Sequence, residues 1–310
     1  MKVYNISDIN SLGSDSIVTV GMFDGVHAGH RKLIATLRSL SLTMSLRPLV
    51  VTFERHPRQL LDPQWQPQML STYEERLRLL ESCGVETVVM EAFDQRLASL
   101  SACEYAQSVL FQKLHMRALL LGYDNAFGNR RRDDFSQLPL LASQLGFEIV
   151  RDSAVTVNGI EVSSTKIRRL LCAGDIMTAN AMLGAPYALE GVVVQGRHVG
   201  TTLGFPTANV AVSGQGKLLP GEGVYAMCVE CDGKSLPAMA NLGPQPTFHQ
   251  DRPVLEVHLL DFSGSLYGAK LRVHFLKRMR DICPFPSADA LVAQLQNDKA
   301  LAKKIWEENR

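Results

Sequence analysis

Over residues 1–183 of this chain, short β-rich runs alternate with helix-patterned stretches, and that alternation restricts the fold more than any other feature. Apolar, β-branched runs at 17–20, 49–53, 85–90 and 118–121 are separated by segments with helical spacing of apolar residues. Those segments predict helices over about 30–42, 72–83 and 103–114. Strands split by helices cannot form tight hairpins, so they pair in parallel with the helices as crossovers. Residues 148–151 and 154–157 add β character before helices expected at about 164–173 and 176–183. After Gly184-Ala185-Pro186 the texture changes to strand runs at 189–195, 224–231, 255–260 and 271–276, punctuated by Gly and Pro. A β-barrel or sandwich is expected there. The closing helix, about 287–306, carries Leu291, Leu295, Leu301 and Ile305 near one face for packing against it. Two domains follow, 1–184 and 185–310.

Composition narrows the partners. Lys plus Arg number 32 against 31 Asp plus Glu, so bulk charge favours neither nucleic acid nor an anionic membrane. A small ligand is the expectation. The N-terminal segment lacks a basic stretch followed by an apolar run, and no apolar stretch approaches membrane-spanning length, which points to the cytoplasm. Six scattered cysteines are too few for a disulfide framework. Cys228 and Cys231 lie on one strand run, where residues three apart face opposite ways, so a shared metal or a disulfide is not expected.

The run Gly21-Met22-Phe23-Asp24-Gly25-Val26-His27-Ala28-Gly29-His30 leaves a strand and enters a helix, where an open parallel sheet binds ligands. Helix-start N–H groups favour an anion, and glycines such as Gly21, Gly25 and Gly29 let a triphosphate approach the backbone. His27 and His30 then stand ready to donate to α-phosphate oxygens as charge develops. The bland reading is a glycine-rich turn with two exposed histidines. A second element, Val162-Ser163-Ser164-Thr165-Lys166-Ile167-Arg168, also opens a helix. Its hydroxyls and cations suit β- and γ-phosphates, so that pyrophosphate leaves as a stabilised anion. By itself it reads equally well as a capped helix with basic surface residues.

Together these motifs resemble the nucleotidyltransferase half of the bacterial bifunctional riboflavin kinase/FMN adenylyltransferase (FAD synthetase) family, and the resemblance spans nearly the whole chain. It implies an α/β nucleotidyltransferase domain that joins AMP from magnesium-bound ATP to FMN, giving FAD and pyrophosphate. Gly21, Phe23, Asp24, Gly25, Gly29, Ser163, Ser164 and Thr165 match the ATP-binding motifs, and His27, His30 and Arg168 match the catalytic positions. Thr52-Phe53-Glu54-Arg55-His56-Pro57 is similar to a T-F-x-P-H-P segment with Arg55 in place of proline. Gly122-Tyr123-Asp124-Asn125-Ala126-Phe127-Gly128 is similar to a G-x-D-F-R-F-G loop in which Asn125 and Ala126 replace Phe and Arg. On the flavin side, His56, Asp124, Phe127 and Arg131 match, while Asp133 stands in place of glycine.

In the second half, Leu203-Gly204-Phe205-Pro206-Thr207-Ala208-Asn209 matches the family's L-G-F-P-T-A-N segment. The resemblance implies a six-stranded antiparallel barrel of riboflavin-kinase type with a C-terminal helix, in which Gly204, Pro206, Thr207 and Asn209 hold the nucleotide. Thr207 and Asn209 would take magnesium, and riboflavin would be the acceptor. Three departures touch the chemistry. Ile282 falls where the R-x-E-x-x-F segment carries a glutamate read as general base, and Thr201 and Gln245 replace arginines. The leading expectation is therefore an FMN adenylyltransferase with weak or absent kinase activity. Full bifunctionality, transfer to a non-flavin phosphate, and a non-catalytic flavin- or nucleotide-binding regulator are the alternatives.

Overall fold

The computed structural model describes residues 1–56, 64, 68–123, 135–195, 200, 203–214, 216–243 and 254–310. The chain divides into two compact units, Met1–Ser164 and Thr165–Arg310.

In the first unit six parallel strands form one sheet in the order β1-β4-β3-β2-β5-β6. They are β1 (Lys2–Asn5), β2 (Ser16–Val20), β3 (Arg47–Phe53), β4 (Thr87–Glu91), β5 (Met116–Leu121) and β6 (Glu148–Arg151). Strand β2 is buried along its whole length, as a central parallel strand covered on both faces must be. Alternate side chains feed two separate cores. Val18, Val20, Leu49, Val51, Leu119 and Leu121 enter one layer, while Ile17, Val50, Val88, Ala118 and Leu120 enter the other. The second layer is closed by α1 (Ala28–Met44) through Leu33, Ile34 and Leu37, and by α2 (Tyr73–Ser82) through Leu80. Helix α2 starts with a capping box between Thr72 and Glu75.

The expected helix over 103–114 is more irregular than its spacing suggests. A short α3 (Gln95–Ser99) precedes it, and α4 (Ala102–Tyr105) passes into a π-turn over Ala106–Phe111. The β character expected at 154–157 becomes a small hairpin of β7 (Thr156–Val157) and β8 (Ile160–Glu161). Helix α5 (Leu138–Leu145) and strand β1 add to the elements that the sequence pattern predicts.

In the second unit, α6 (Ser164–Ala173, apart from Ser164) and α7 (Ile176–Leu183) precede a closed antiparallel barrel in the order β10-β13-β12-β11-β14-β9. Its strands are β9 (Tyr187–Val194), β10 (Ala208–Val212), β11 (Gly223–Cys231), β12 (Lys234–Gly243), β13 (Val254–Leu259) and β14 (Lys270–Arg280). Helix α7 is joined to the barrel by Asn180, whose side chain donates to the Phe275 carbonyl and accepts from the Tyr187 N–H, both at 2.8 Å. Inward-facing Tyr225, Met227 and Val229 are fully buried, and Cys231 continues that alternation. Cys228 belongs to the opposite face and packs with an outer cluster.

That outer cluster joins Phe205, Ala226, Met239, Leu260 and Leu276 to Ala302 and Ile305 of the closing helix α8 (Ala288–Glu308). The face of α8 differs from the expected one at Leu301, which is 42% exposed. Leu291, Leu295, Asp298, Ala302 and Ile305 follow a repeat of three and four, and Leu301 falls one position short of that stripe. Among the described residues no helix is long and apolar enough to cross a membrane.

Candidate active sites

In the first unit the chain runs from β2 to β3 and β4 on one side, then returns to β5 and β6 on the other. The order reverses at the carboxyl end of β2, which is where such sheets bind ligands. Gly21 follows directly, its N–H bonded to the Val51 carbonyl at 3.0 Å. A tight turn over Asp24–Val26 then delivers the chain to α1, with His27 as N-cap. Gly25 has φ of +76°, in the left-handed region that a side chain strains, and its N–H donates to the Ser71 hydroxyl at 2.9 Å.

His27 and His30 stack with ring centroids 3.7 Å apart and planes 15° from parallel. Gly29 leaves room for that stack, since a Cβ there would crowd the His27 ring at 3.2 Å. Phe23 backs His30 at 5.1 Å. Burial, and then the neighbouring His27, pull the His30 imidazole well below its ordinary range, so it is neutral at pH 7. His30 Nδ1 is sealed from solvent and has no hydrogen-bond partner among the described residues. The neutral His30 ring and its stacked neighbour His27 thus sit together at a helix start, a suitable surface for an anion that gains charge during transfer.

Beneath the loop lies a polar network that sequence reasoning missed. Asp24 is 2% exposed, and its carboxylate accepts from Leu70 N and Ser71 N, each at 3.0 Å, and from the Ser71 hydroxyl at 3.2 Å. Arg76, 1% exposed, donates to the Met22 carbonyl at 3.0 Å and to the Phe53 carbonyl. Its guanidinium therefore ties the β2 and β3 exits together. Burial lowers its proton affinity, while Asp24 acts in the opposite direction. The sequence signal at 72–75 is a cap, and an arginine next to it reads as solvent-facing until the helix is placed.

The second phosphate motif is partly joined to the first. The Ser164 hydroxyl donates to the Asp24 carbonyl at 3.2 Å across 140 residues of chain, so one expected ATP-binding serine is anchored to the histidine loop. Ser163 precedes it and is half-buried. Thr165, exposed, and Arg168, half-buried, lie in α6 within the second compact unit. His56 sits half-buried just after β3. Asp124, Phe127 and Arg131 lie outside the described residues, as do Thr201 and Gln245.

In the barrel unit a cavity of about 320 Å³ opens on the outer face between β11, β12, β13 and α8. Thr207, Asn241, Glu256, His258, Ile282 and Phe285 are among its walls, and Glu256 is the one carboxylate on them among the described residues. Its placement follows from strand register. On β13, Glu256 pairs with Asn209 of β10 on one side and with Asn241 of β12 on the other. Register partners project to the same face, about 5 Å apart at Cβ, so two amides flank the carboxylate. Asn209 is buried, Thr207 is exposed two residues before it, and Gly204 turns the preceding loop with φ of +81°. Pro206 is exposed, and its carbonyl is held by His258.

Ile282, 44% exposed, packs on Gly243, where a Cβ would lie 2.4 Å from its Cδ1. Arg280 is committed to structure. Its Nε and Nη2 reach the buried Asp298 carboxylate, at 3.0 and 2.7 Å for Oδ2, and its guanidinium lies 5.6 Å from the Phe285 ring.

A doubly wound sheet carrying H-x-G-H at its switch point, followed by a six-stranded barrel with the G-F-P-T loop, defines a nucleotidyltransferase domain joined to a flavokinase-type domain. The family model described as FAD synthetase matches residues 10–166, and that described as riboflavin kinase matches 183–306. The chain is 37% identical over 305 residues to the bifunctional riboflavin kinase/FMN adenylyltransferase of Escherichia coli (strain K12), covering 98% of this chain and 96% of that one. It is 37% identical over 290 residues to that of Pseudomonas fluorescens, covering 93% and 92%. A solved structure described as a macrolide-efflux protein from Streptococcus pneumoniae superposes with a TM-score of 0.89 at 30% identity, covering 98% of this chain and 99% of that one. This chain belongs to the bifunctional riboflavin kinase/FMN adenylyltransferase family.

Proposed function

We propose that the chain performs both steps, phosphorylating riboflavin to FMN in the barrel domain and adenylylating FMN to FAD in the α/β domain. The observation that carries this reading is Glu256 on the wall of the barrel cavity, level with Asn209 and Asn241. The expectation of weak kinase activity rests on Ile282, which cannot accept a proton, but a base need only reach the acceptor hydroxyl from some wall of the cavity. Glu256 is a candidate for that role. The riboflavin hydroxyl attacks the γ-phosphorus of ATP, its proton passes to the Glu256 carboxylate, and ADP leaves.

For the second step, a phosphate oxygen of FMN attacks the α-phosphorus of ATP and pyrophosphate departs. His27 and His30 stabilise the charge that builds on the α-phosphate, and Ser163, Ser164, Thr165 and Arg168 hold the leaving group. Gly21, Phe23, Asp24, Gly25 and Gly29 shape the ATP loop, while His56, Asp124, Phe127 and Arg131 form the flavin side. Gly204 and Pro206 shape the kinase loop. Thr207 and Asn209 supply hard oxygen donors suited to magnesium, with nucleotide phosphates completing its shell, and the ion would neutralise phosphate charge. We place the functional boundary near Gly184, at the start of the riboflavin kinase match, and the reaction in the cytoplasm.

The test is product identification with the full chain, magnesium and ATP, starting separately from riboflavin and from FMN. Riboflavin should yield FMN and then FAD, and FMN should yield FAD with pyrophosphate. FAD from FMN with no FMN from riboflavin would establish the second reading, a silent kinase domain, which the apolar Ile282 and the replaced arginines favour.

A further inference from the structure

Two residues apart on β13, Glu256 and His258 project to the same face of the barrel. The loop that carries Thr207 is anchored at both ends by backbone. Phe205 N–H bonds the Gly200 carbonyl at 2.8 Å, and Ala208 pairs with Val257 as β10 begins. Between these anchors lies Pro206, which has no N–H to offer. Its carbonyl lies 2.7 Å from His258 Nδ1. The imidazole is 8% exposed and meets the buried Phe205 ring edge-on at 5.4 Å, so neither partner has room to drift.

We propose that His258 is a positioning residue for phosphoryl transfer, its Nδ1–H latching the Pro206 carbonyl and thereby fixing Thr207 at the nucleotide end of the cavity. A carbonyl only accepts, so Nδ1 carries a proton in both the neutral ring and the imidazolium, and the latch is independent of pH. Without it, the segment before β10 loses this side-chain tether and Thr207 must be ordered by the incoming nucleotide. The effect therefore belongs to ATP binding more than to the chemical step. This rests on the kinase reading above.

The experiment uses the full chain with His258→Asn, which keeps a donor near the Nδ1 position, and His258→Phe, which keeps the packing and removes the donor. In riboflavin phosphorylation, His258→Phe should raise KM for ATP about 10-fold with kcat changed less, as expected for one buried hydrogen bond lost. His258→Asn should stay within about 3-fold of wild type on the same scale. FMN adenylylation by both variants should match wild type. Hydrogen exchange at the Phe205 amide should quicken in His258→Phe alone, a readout that stands whether or not the wild type phosphorylates riboflavin. Equal behaviour of the two variants in exchange would overturn the latch, as would a fall in adenylylation equal to that in kinase activity. A wild type that exchanges as described but makes no FMN would overturn the kinase reading and leave the latch standing as a loop anchor.

Discussion

Replacing Asp24 by Asn separates two roles for this carboxylate, one as an ATP contact and the other as the organiser of the loop. Among the described residues the Asp24 carboxylate accepts from Leu70 N on Oδ2 and from Ser71 N and Oγ on Oδ1. Asn keeps one acceptor oxygen and puts an amide NH₂ in place of the other, so either Leu70 N or Ser71 N faces a donor. A buried donor left without a partner costs about 1–3 kcal/mol, and changing the acceptor for the remaining bonds from charged to neutral costs about 1 kcal/mol more for each. The buried Arg76 also loses a nearby negative charge. The sum is about 4 kcal/mol, a large share of the roughly 5–15 kcal/mol that holds a domain together. Urea unfolding followed by far-UV circular dichroism should show the midpoint of the affected transition falling by about 2 M, for a slope near 2 kcal/mol per M. Amide exchange should quicken at Gly25, Leu70 and Ser71. A variant within about 1 kcal/mol of wild type in stability, yet with ATP affinity for FMN adenylylation down about 10-fold, would refute the reasoning and make Asp24 a direct ligand.

Further outcomes follow from the same geometry. His30→Ala should lower FAD turnover about 100-fold or more with a smaller change in KM for ATP, checked by steady-state kinetics. Because the folded His30 pKa lies below that of the unfolded chain, near 6.5, its contribution to stability is full above that pH and declines as pH falls below it. Thermal unfolding from pH 8 to pH 5 should therefore lose less stability in His30→Ala than in wild type. Arg168→Ala should weaken ATP use while leaving FMN binding, read by flavin fluorescence, near wild type. Glu256→Gln should reduce riboflavin phosphorylation about 100- to 10,000-fold without touching FMN adenylylation, and equal kinase rates would remove Glu256 from the mechanism.

Much of the architecture was legible because it rests on local pattern. The β runs at 17–20, 49–53 and 118–121 are short, apolar and bounded by helical periodicity, and each became a central strand. The histidine loop was readable for the same reason, since strand, glycines and helix start adjoin in sequence. What pattern could not give was any contact between distant segments. Ser71 and Arg76 sit some 50 residues from Met22 and Gly25, to which they are bonded, and nothing in their own neighbourhood marks them. A buried arginine is rare enough that a charged helix position reads as solvent by default. Leu301 failed in the opposite way, because a helix with apolar residues on several faces leaves the buried stripe to be chosen by the barrel.

The barrel domain shows how much of a cavity lining lies outside any one linear motif. Reading Arg280-Asp281-Ile282 as a damaged R-x-E segment treats the base as a property of one short run. In the barrel, the cavity wall is assembled from four strands and a helix, and position along each strand counts only through register. Asn209, Glu256, Asn241, Val224 and Arg280 occupy one level around the barrel, although 71 residues separate the first from the last. Slipping one strand by a single residue would turn Glu256 away and bring a neighbouring apolar residue to the cavity. The carboxylate is thus specified by hydrogen-bonded pairing, not by its neighbours in sequence. Ile282 shapes the lining near Gly243 and takes no part in that pairing. In the two-step reading, the ladder that holds Glu256 between its two amides is what sets the base in place.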